Sequence, residues 1–311
     1  MGHFLCRMND QVIQQRFFLI NPYKRQDVFS CRYSSHARFS YRVSAYHVLK
    51  EKQCFPQGCI YFKWSCRLLE KGKSCVRKYH YVGRLCDGCR YYEDEKVHLQ
   101  PALLLTAAEY ERFLSQIQEF DDWIESLTGR EVEFYCQIDS VKPRFRKEVM
   151  GRKNYFRLNG YVLVVRKGFI DRESFEDIFY IDIAPAQQER YRLASGDCFE
   201  AKGRVSIDRG RVLIGRTNRI EFEERSQQPT WKNSEALVAR QVATLFIHQP
   251  EPCLKCPKGA LVDVSETVHG VEQKRRELYC LAGIVDPRAC YLFPHEKMAE
   301  CIFADRALIN S

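Results

Sequence analysis

Cysteine supplies 15 of the 311 residues, and ten of the thiols fall into two runs. The first is Cys54, Cys59, Cys66, Cys75, Cys86 and Cys89; the second is Cys253, Cys256, Cys280 and Cys290. A thiolate is a soft, anionic ligand, and four of them close the coordination sphere of one zinc ion or hold one iron–sulfur cluster. The closest pairs are Cys86-Asp87-Gly88-Cys89 and Cys253-Leu254-Lys255-Cys256. Two thiols separated by two residues fit on a single turn, so one loop can present both to one ion. Clustered cysteines in a reducing compartment more often bind metal than pair as disulfides.

The two clusters differ in spacing. In the first, the intervals are irregular, and six thiols exceed the four that one site needs. Cys75, Cys86 and Cys89 are the expected ligands, with the fourth from Cys54, Cys59 or Cys66. In the second, Cys253-x2-Cys256-Pro257-Lys258-Gly259 is a metal-knuckle pattern, and Gly259 lets the chain turn back into a strand. Cys280 and Cys290 complete four thiolates, with His295 and Cys301 as spare donors. The first half of this second cluster resembles a zinc ribbon, but neither cluster has the two close pairs of that family. An iron–sulfur cluster or zinc, at two sites, is therefore the expected cofactor. Cys6, Cys31, His36 and His47 stand apart from the clusters and read as packing or surface residues.

The net charge of +9 is moderate, but its placement is uneven. Between Lys142 and Gly168 there are nine Lys or Arg and one acid, Glu148. Rings lie among the cations. Lys142, Arg144, Phe145, Arg146, Lys147, Arg152, Lys153, Tyr155 and Arg157 suit a groove in which cations track phosphates and rings stack on bases. Lys73, Arg77 and Lys78, beside Tyr79 and Tyr81, repeat the combination within the first cysteine cluster. Nucleic acid, single-stranded or structured, is the expected partner; the sequence specifies no protein partner.

These residues need elements to hold them. From Glu131 to Glu224 the chain carries short runs of β-branched and aromatic residues, partly alternating with polar ones and divided by Gly and Asp. Gly196-Asp197-Cys198-Phe199 leads into Gly203-Arg204-Val205. Asp208-Arg209-Gly210 then supplies turn residues before Arg211-Val212-Leu213-Ile214. This part of the chain resembles the later strands of an OB-fold, which implies a small barrel whose first inter-strand loop and second and third strands border a ligand. Thr106 with Glu109 forms a capping box opening a helix that Gly129 ends. A second helix starts at Asn233 or Ser234. The expected class is α+β, β-dominated. It comprises a cysteine-rich basic module (1–100), a connecting helix (101–129), an OB-like barrel (130–225), and a helix with a C-terminal cysteine-rich metal module (226–311).

No run of about 18 apolar residues appears, so no membrane partner is expected. The N-terminus lacks the apolar core of a signal peptide, and a cytoplasmic location follows as an expectation. Dinucleotide fingerprints, intact phosphate loops and HExxH are missing from the sequence. The leading functional reading is a nucleic-acid-binding protein with cysteine-ligated metal centres. The alternative is an iron–sulfur enzyme acting in nucleic-acid modification, sulfur transfer or electron transfer. A third is a scaffold whose basic patches meet acidic proteins.

Overall fold

The structure, a computed structural model, describes residues 19–150, 153–246, 250–268 and 271–292. The chain divides into two compact units. One is Tyr23–Arg112; the other is Met1–Pro22 with Phe113–Ser311. The protein is β-dominated, with a few helices and one large sheet.

In the smaller unit, β1 (Phe29–Ser30) and β2 (Arg42–Val43) pair with each other, and β5 (Ala102–Leu103) pairs with β1. A separate antiparallel ladder joins β3 (Cys59–Cys66) to β4 (Tyr92–Leu99), and α1 (Arg67–Glu70) follows β3 directly. Apolar burial is sparse: Val28, Phe29, Val43, Ala45 and Val48 make most of it. So small a core contributes little free energy, and such modules usually rely on a staple.

The boundary between the units falls inside α2 (Ala107–Leu127). Its capping box forms as the sequence predicts: Thr106 donates its backbone N–H (2.9 Å) and hydroxyl (2.7 Å) to Glu109 Oε2. Beyond the boundary, Phe113, Phe120, Trp123 and Leu127 are buried. Trp123 stacks on Phe175 with centroids 5.4 Å apart.

The larger unit is built on two long strands, β6 (Val132–Met150) and β7 (Lys153–Ile170). The shorter β8 (Glu173–Phe175) and β9 (Phe179–Ile183) follow, then α3 (Pro185–Tyr191), β10 (Cys198–Asp208) and β11 (Arg211–Glu224). Side chains along β6 alternate between buried and exposed, as period-two patterning requires. β6 pairs with β7 and β10; β10 pairs with β11; β11 runs parallel to β9; β9 pairs with β7. These five pairings form a circuit that returns to β6. Phe134, Ile138, Leu163, Val165, Phe179, Ile181, Phe199 and Ile214 fill its interior. Gly203 lies where β10 slips register against β11, and a Cβ there would stand 2.5 Å from Ile214 Cγ2. The turn after β10 places Arg209 and Gly210 at positive φ (50° and 77°).

Past the circuit, the distal halves of β6 and β7 continue as a two-stranded arm. After α4 (Asn233–Val242), β12 (Thr244–Phe246) and α5 (Glu251–Lys255) come β13 (Gly259–Val268) and β14 (Val271–Cys280). β13 pairs in parallel with the arm, Asp263 opposite Arg146 through Glu266 opposite Val149. β14 and then β12 extend the sheet outward. Among the described residues, no helix is long and apolar enough to cross a membrane.

Candidate metal centres and nucleic-acid face

The C-terminal knuckle is built by backbone geometry. The short helix α5 carries Cys253, and Cys256 N–H closes onto the Pro252 carbonyl at 2.9 Å. Lys258 N–H points at Cys256 Sγ (3.3 Å), and Gly259 N–H donates to the Cys256 carbonyl (2.9 Å). Sulfur accepting main-chain hydrogen bonds is the outer-shell arrangement that supports a ligating thiolate. Gly259 opens β13 and pairs with Cys280, the last residue of β14. That register brings the third cysteine beside the knuckle. The fourth, Cys290, follows a 3-10 turn (Pro287–Ala289) capped by Asp286, whose carboxylate accepts from Arg288 N–H at 3.0 Å.

All four cysteines are buried, and they line one cavity of about 10 Å³ together with Phe246 and Ile284. Burial, with smaller contributions from charge on Cys256, Cys290 and Cys280, pushes the Cys253 thiol up to about 12. Burial also raises Cys256, against the opposing pull of the Lys258 and Gly259 amides and of the Lys142 ammonium. A pocket that penalises thiolates this strongly holds them ionised only with a cation among them. Lys142 lies close by: its Nζ donates to the Leu254 carbonyl at 2.5 Å, and burial lowers its pKa to about 8. Among the described residues, no three His, Cys, Asp or Glu side chains are already grouped tightly enough to hold an ion, so these thiols share a cavity without yet converging on one centre. None of the 13 described cysteines forms a disulfide. Cys301 and His295 lie outside the described residues.

The six N-terminal cysteines are divided by β3. Cys59 opens that strand and Cys66 closes it. Seven residue steps of about 3.3 Å put their Cα atoms ~23 Å apart, beyond the reach of one ion. At the Cys66 end, Cys66 pairs with Tyr92, whose N–H donates to the Cys89 carbonyl (2.9 Å). Cys89 N–H in turn donates to the Cys86 carbonyl (3.0 Å). Arg77 ties in the fourth member: its N–H points at Cys75 Sγ (3.4 Å) and its guanidinium donates to the Leu85 carbonyl (3.0 Å). Cys66, Cys75, Cys86 and Cys89 thus belong to one end of the ladder. Cys54 and Cys59 belong to the other, beside Cys31, which sequence reasoning set aside as a packing residue.

The cationic residues also separate into groups. Phe145 is fully buried, with its ring 5.3 Å from that of Phe156, so no base can stack on it. Arg144 donates to Asp182 (2.7 Å) and to Asp263 (3.4 Å). Asp263 also accepts from Arg276 (2.8 Å), which reaches Asp208 (2.9 Å). This chain of ion pairs ties β9, the β10 turn, β13 and β14 to β6. Sequence reasoning missed it because its members are 13 to 119 residues apart. Lys147 donates to the Tyr279 hydroxyl (3.0 Å), and Arg146 pairs with Glu148 (3.2 Å). Arg152 lies outside the described residues.

Lys153, Tyr155 and Arg157 are exposed on alternate positions of β7. The Arg157 guanidinium stands 5.8 Å from the centre of the Tyr155 ring. Register sets Arg146 opposite Arg157 and Met150 opposite Lys153, so these side chains share one face of the arm. Lys73, Arg77 and Lys78 are exposed in the smaller unit, where Tyr81 is 84% exposed.

No protein-family model matches this chain, and no curated protein matches its sequence.

Proposed function

We propose that this chain is a nucleic-acid-binding protein in which an OB-type barrel carries the binding face and bound metal ions stiffen the cysteine-rich parts. The observation that carries the reading is the exposed face of the arm. Lys153 and Arg157 flank Tyr155, which remains 40% exposed, and Arg146 faces Arg157 across the ladder. A ring held open between cations suits an unpaired base with its phosphates. The barrel reading is supported by the closed circuit of five pairings, in which β9 and β11 are parallel and α3 lies between β9 and β10. Such connectivity suits the Greek-key order of an OB-fold, with the arm as an extension of the hairpin of its first two strands.

For the metal, a cavity of about 10 Å³ suits a single ion better than a multi-iron cluster. A zinc-class ion held by Cys253, Cys256, Cys280 and Cys290 is the favoured occupant, and Cys66, Cys75, Cys86 and Cys89 form the second ligand set. Free thiols in such number suit a reducing compartment such as the cytoplasm.

The test is a titration of the zinc-replete full chain with a fluorescent single-stranded oligonucleotide at several salt concentrations. Affinity should fall linearly with salt on logarithmic axes, with a slope of about −0.7 for each phosphate neutralised. Absence of binding at low salt, or binding indifferent to salt, rejects the nucleic-acid reading. Brown protein with stoichiometric iron and sulfide rejects the single-ion reading and favours the enzyme.

A further inference from the structure

The β3–β4 ladder of the smaller unit turns its apolar side outward. Ile60, Phe62 and Trp64 share one parity of β3 and are 57%, 54% and 41% exposed. The other parity meets the rest of the unit: Tyr61 is half-buried, with its ring 4.7 Å from that of Tyr33. Register sets His98, Lys96 and Asp94 of β4 directly opposite Ile60, Phe62 and Trp64, so these six side chains share the outward face. His98 is tied back at its Nε2 by the Gln57 carbonyl (2.7 Å), which leaves Lys96 as the cation standing beside the rings. A row of large apolar side chains held in water along one strand marks a surface that meets a ligand or partner.

We infer that this face is a second landing surface for single-stranded nucleic acid, with Phe62 and Trp64 as its stacking platforms. Charge selects the occupant. Tyr23–Arg112 holds seventeen Lys or Arg against nine Asp or Glu, so the smaller unit carries +8 of the chain's net +9. The excess gathers at the Trp64 end of the ladder. Residues 67–91, which connect β3 to β4, hold seven Lys or Arg, all exposed, against Glu70 and Asp87. Arg67 closes this connection onto the ladder: its N–H donates to the Tyr91 carbonyl (3.0 Å) and its guanidinium to the Arg90 carbonyl (2.9 Å). Among the described residues, Arg67 is also the one cation of the seven paired with a carboxylate, that of Glu93 at 2.9 Å. The other six have no acid to neutralise them and can hold phosphates. Phe62 and Trp64 stand about 6.6 Å apart along the strand, so each ring can take its own base. Asp94 is the one acid on the outward face; Glu93 and Glu95 take the opposite parity. Rings on a sheet surface that stack bases, with cations tracking the backbone, are a general means of holding unpaired strands.

This face extends the nucleic-acid reading of the arm but uses none of the arm's residues, so one set of titrations tests the two separately. The full chain, unaltered and as Phe62→Ala, Trp64→Ala and Tyr155→Ala, is titrated with a fluorescently labelled oligothymidylate. Phe62→Ala and Trp64→Ala should each weaken binding roughly 5- to 150-fold and leave the melting temperature unchanged. Trp64→Phe, which keeps a ring, should recover most of the affinity, and Trp64→Leu should not. Full affinity in Phe62→Ala and Trp64→Ala with a loss in Tyr155→Ala overturns this face and leaves the arm; the reverse keeps this face and removes the arm; no binding by the unaltered chain overturns both. Ultraviolet cross-linking of a bromodeoxyuridine-substituted strand should label the peptide that carries Phe62 and Trp64, and cross-links confined to other peptides reject the face. Sedimentation supplies the last arm: a dimer that Trp64→Ala abolishes without loss of strand affinity assigns the stripe to a second copy of this chain and overturns the inference.

Discussion

Gly259 and Cys253 approach so closely that a Cβ on the glycine would lie 1.8 Å from the Cys253 carbonyl oxygen. The obstacle is main chain, which no rotamer change can move aside. Gly259→Ala should therefore break the knuckle: about 3 kcal/mol of stability lost, the upper end of ordinary substitutions, together with one zinc per chain. Thermal unfolding and metal content measured on the same sample check both effects. A variant that keeps its zinc and its melting temperature would show that the turn tolerates a side chain.

Two aromatic residues of the arm are expected to respond oppositely. Phe145→Ala empties a core position and should cost about 3–5 kcal/mol of stability, leaving the salt dependence of oligonucleotide binding unchanged in whatever fraction folds. Tyr155→Ala should leave the melting temperature within a degree or two and weaken single-strand binding by about 1–3 kcal/mol. Denaturation curves and binding isotherms on both variants decide it.

Lys153→Ala and Arg157→Ala should each weaken binding to unrelated oligonucleotides by similar factors and reduce the slope of log affinity against log salt by about 0.7, one phosphate contact each. Unequal effects across base compositions would instead assign the side chain to base recognition.

The Asp263 carboxyl predicts a pH dependence. Burial works to raise its pKa, but Arg276 and then Arg144 outweigh burial and hold the pKa below the usual carboxylate value. A lowered folded-state pKa adds stability that is complete above the unfolded value of about 3.9 and is lost as pH falls through the folded one. The unaltered protein should therefore lose stability on acidification below about pH 4 more steeply than Asp263→Asn, as followed by denaturant unfolding from pH 6 to 2.5. Parallel profiles would mean that the ion-pair chain contributes nothing measurable.

Local patterns carried much of the fold. The alternation from Glu131 onward, the capping box at Thr106, the Asp208-Arg209-Gly210 turn and the strand after the knuckle were all legible, because each rests on residues within a few positions of one another. Phe145, expected in the groove, is buried instead; the missed signal is that Lys142, Arg144 and Arg146 occupy one parity of the strand, and Pro143 and Phe145 the other. The division of the six N-terminal cysteines lay in the aromatic run Ile60-Tyr61-Phe62-Lys63-Trp64, whose strand character separates its two ends. The partners of Arg144, 38 and 119 residues away, had no local signature, because chain topology alone brings them together.

The parallel pairing of β13 with the outer half of β6 leaves that strand with a neighbour on each side. Trimming the chain after α4 would strip one flank and bare a row of main-chain donors and acceptors from Arg146 to Val149, a template for pairing with other molecules. A barrel fragment made that way should self-associate in proportion to concentration, whereas a cut that retains β14 should stay monodisperse in light scattering. On this reading the C-terminal hairpin that carries Cys280 would also guard solubility.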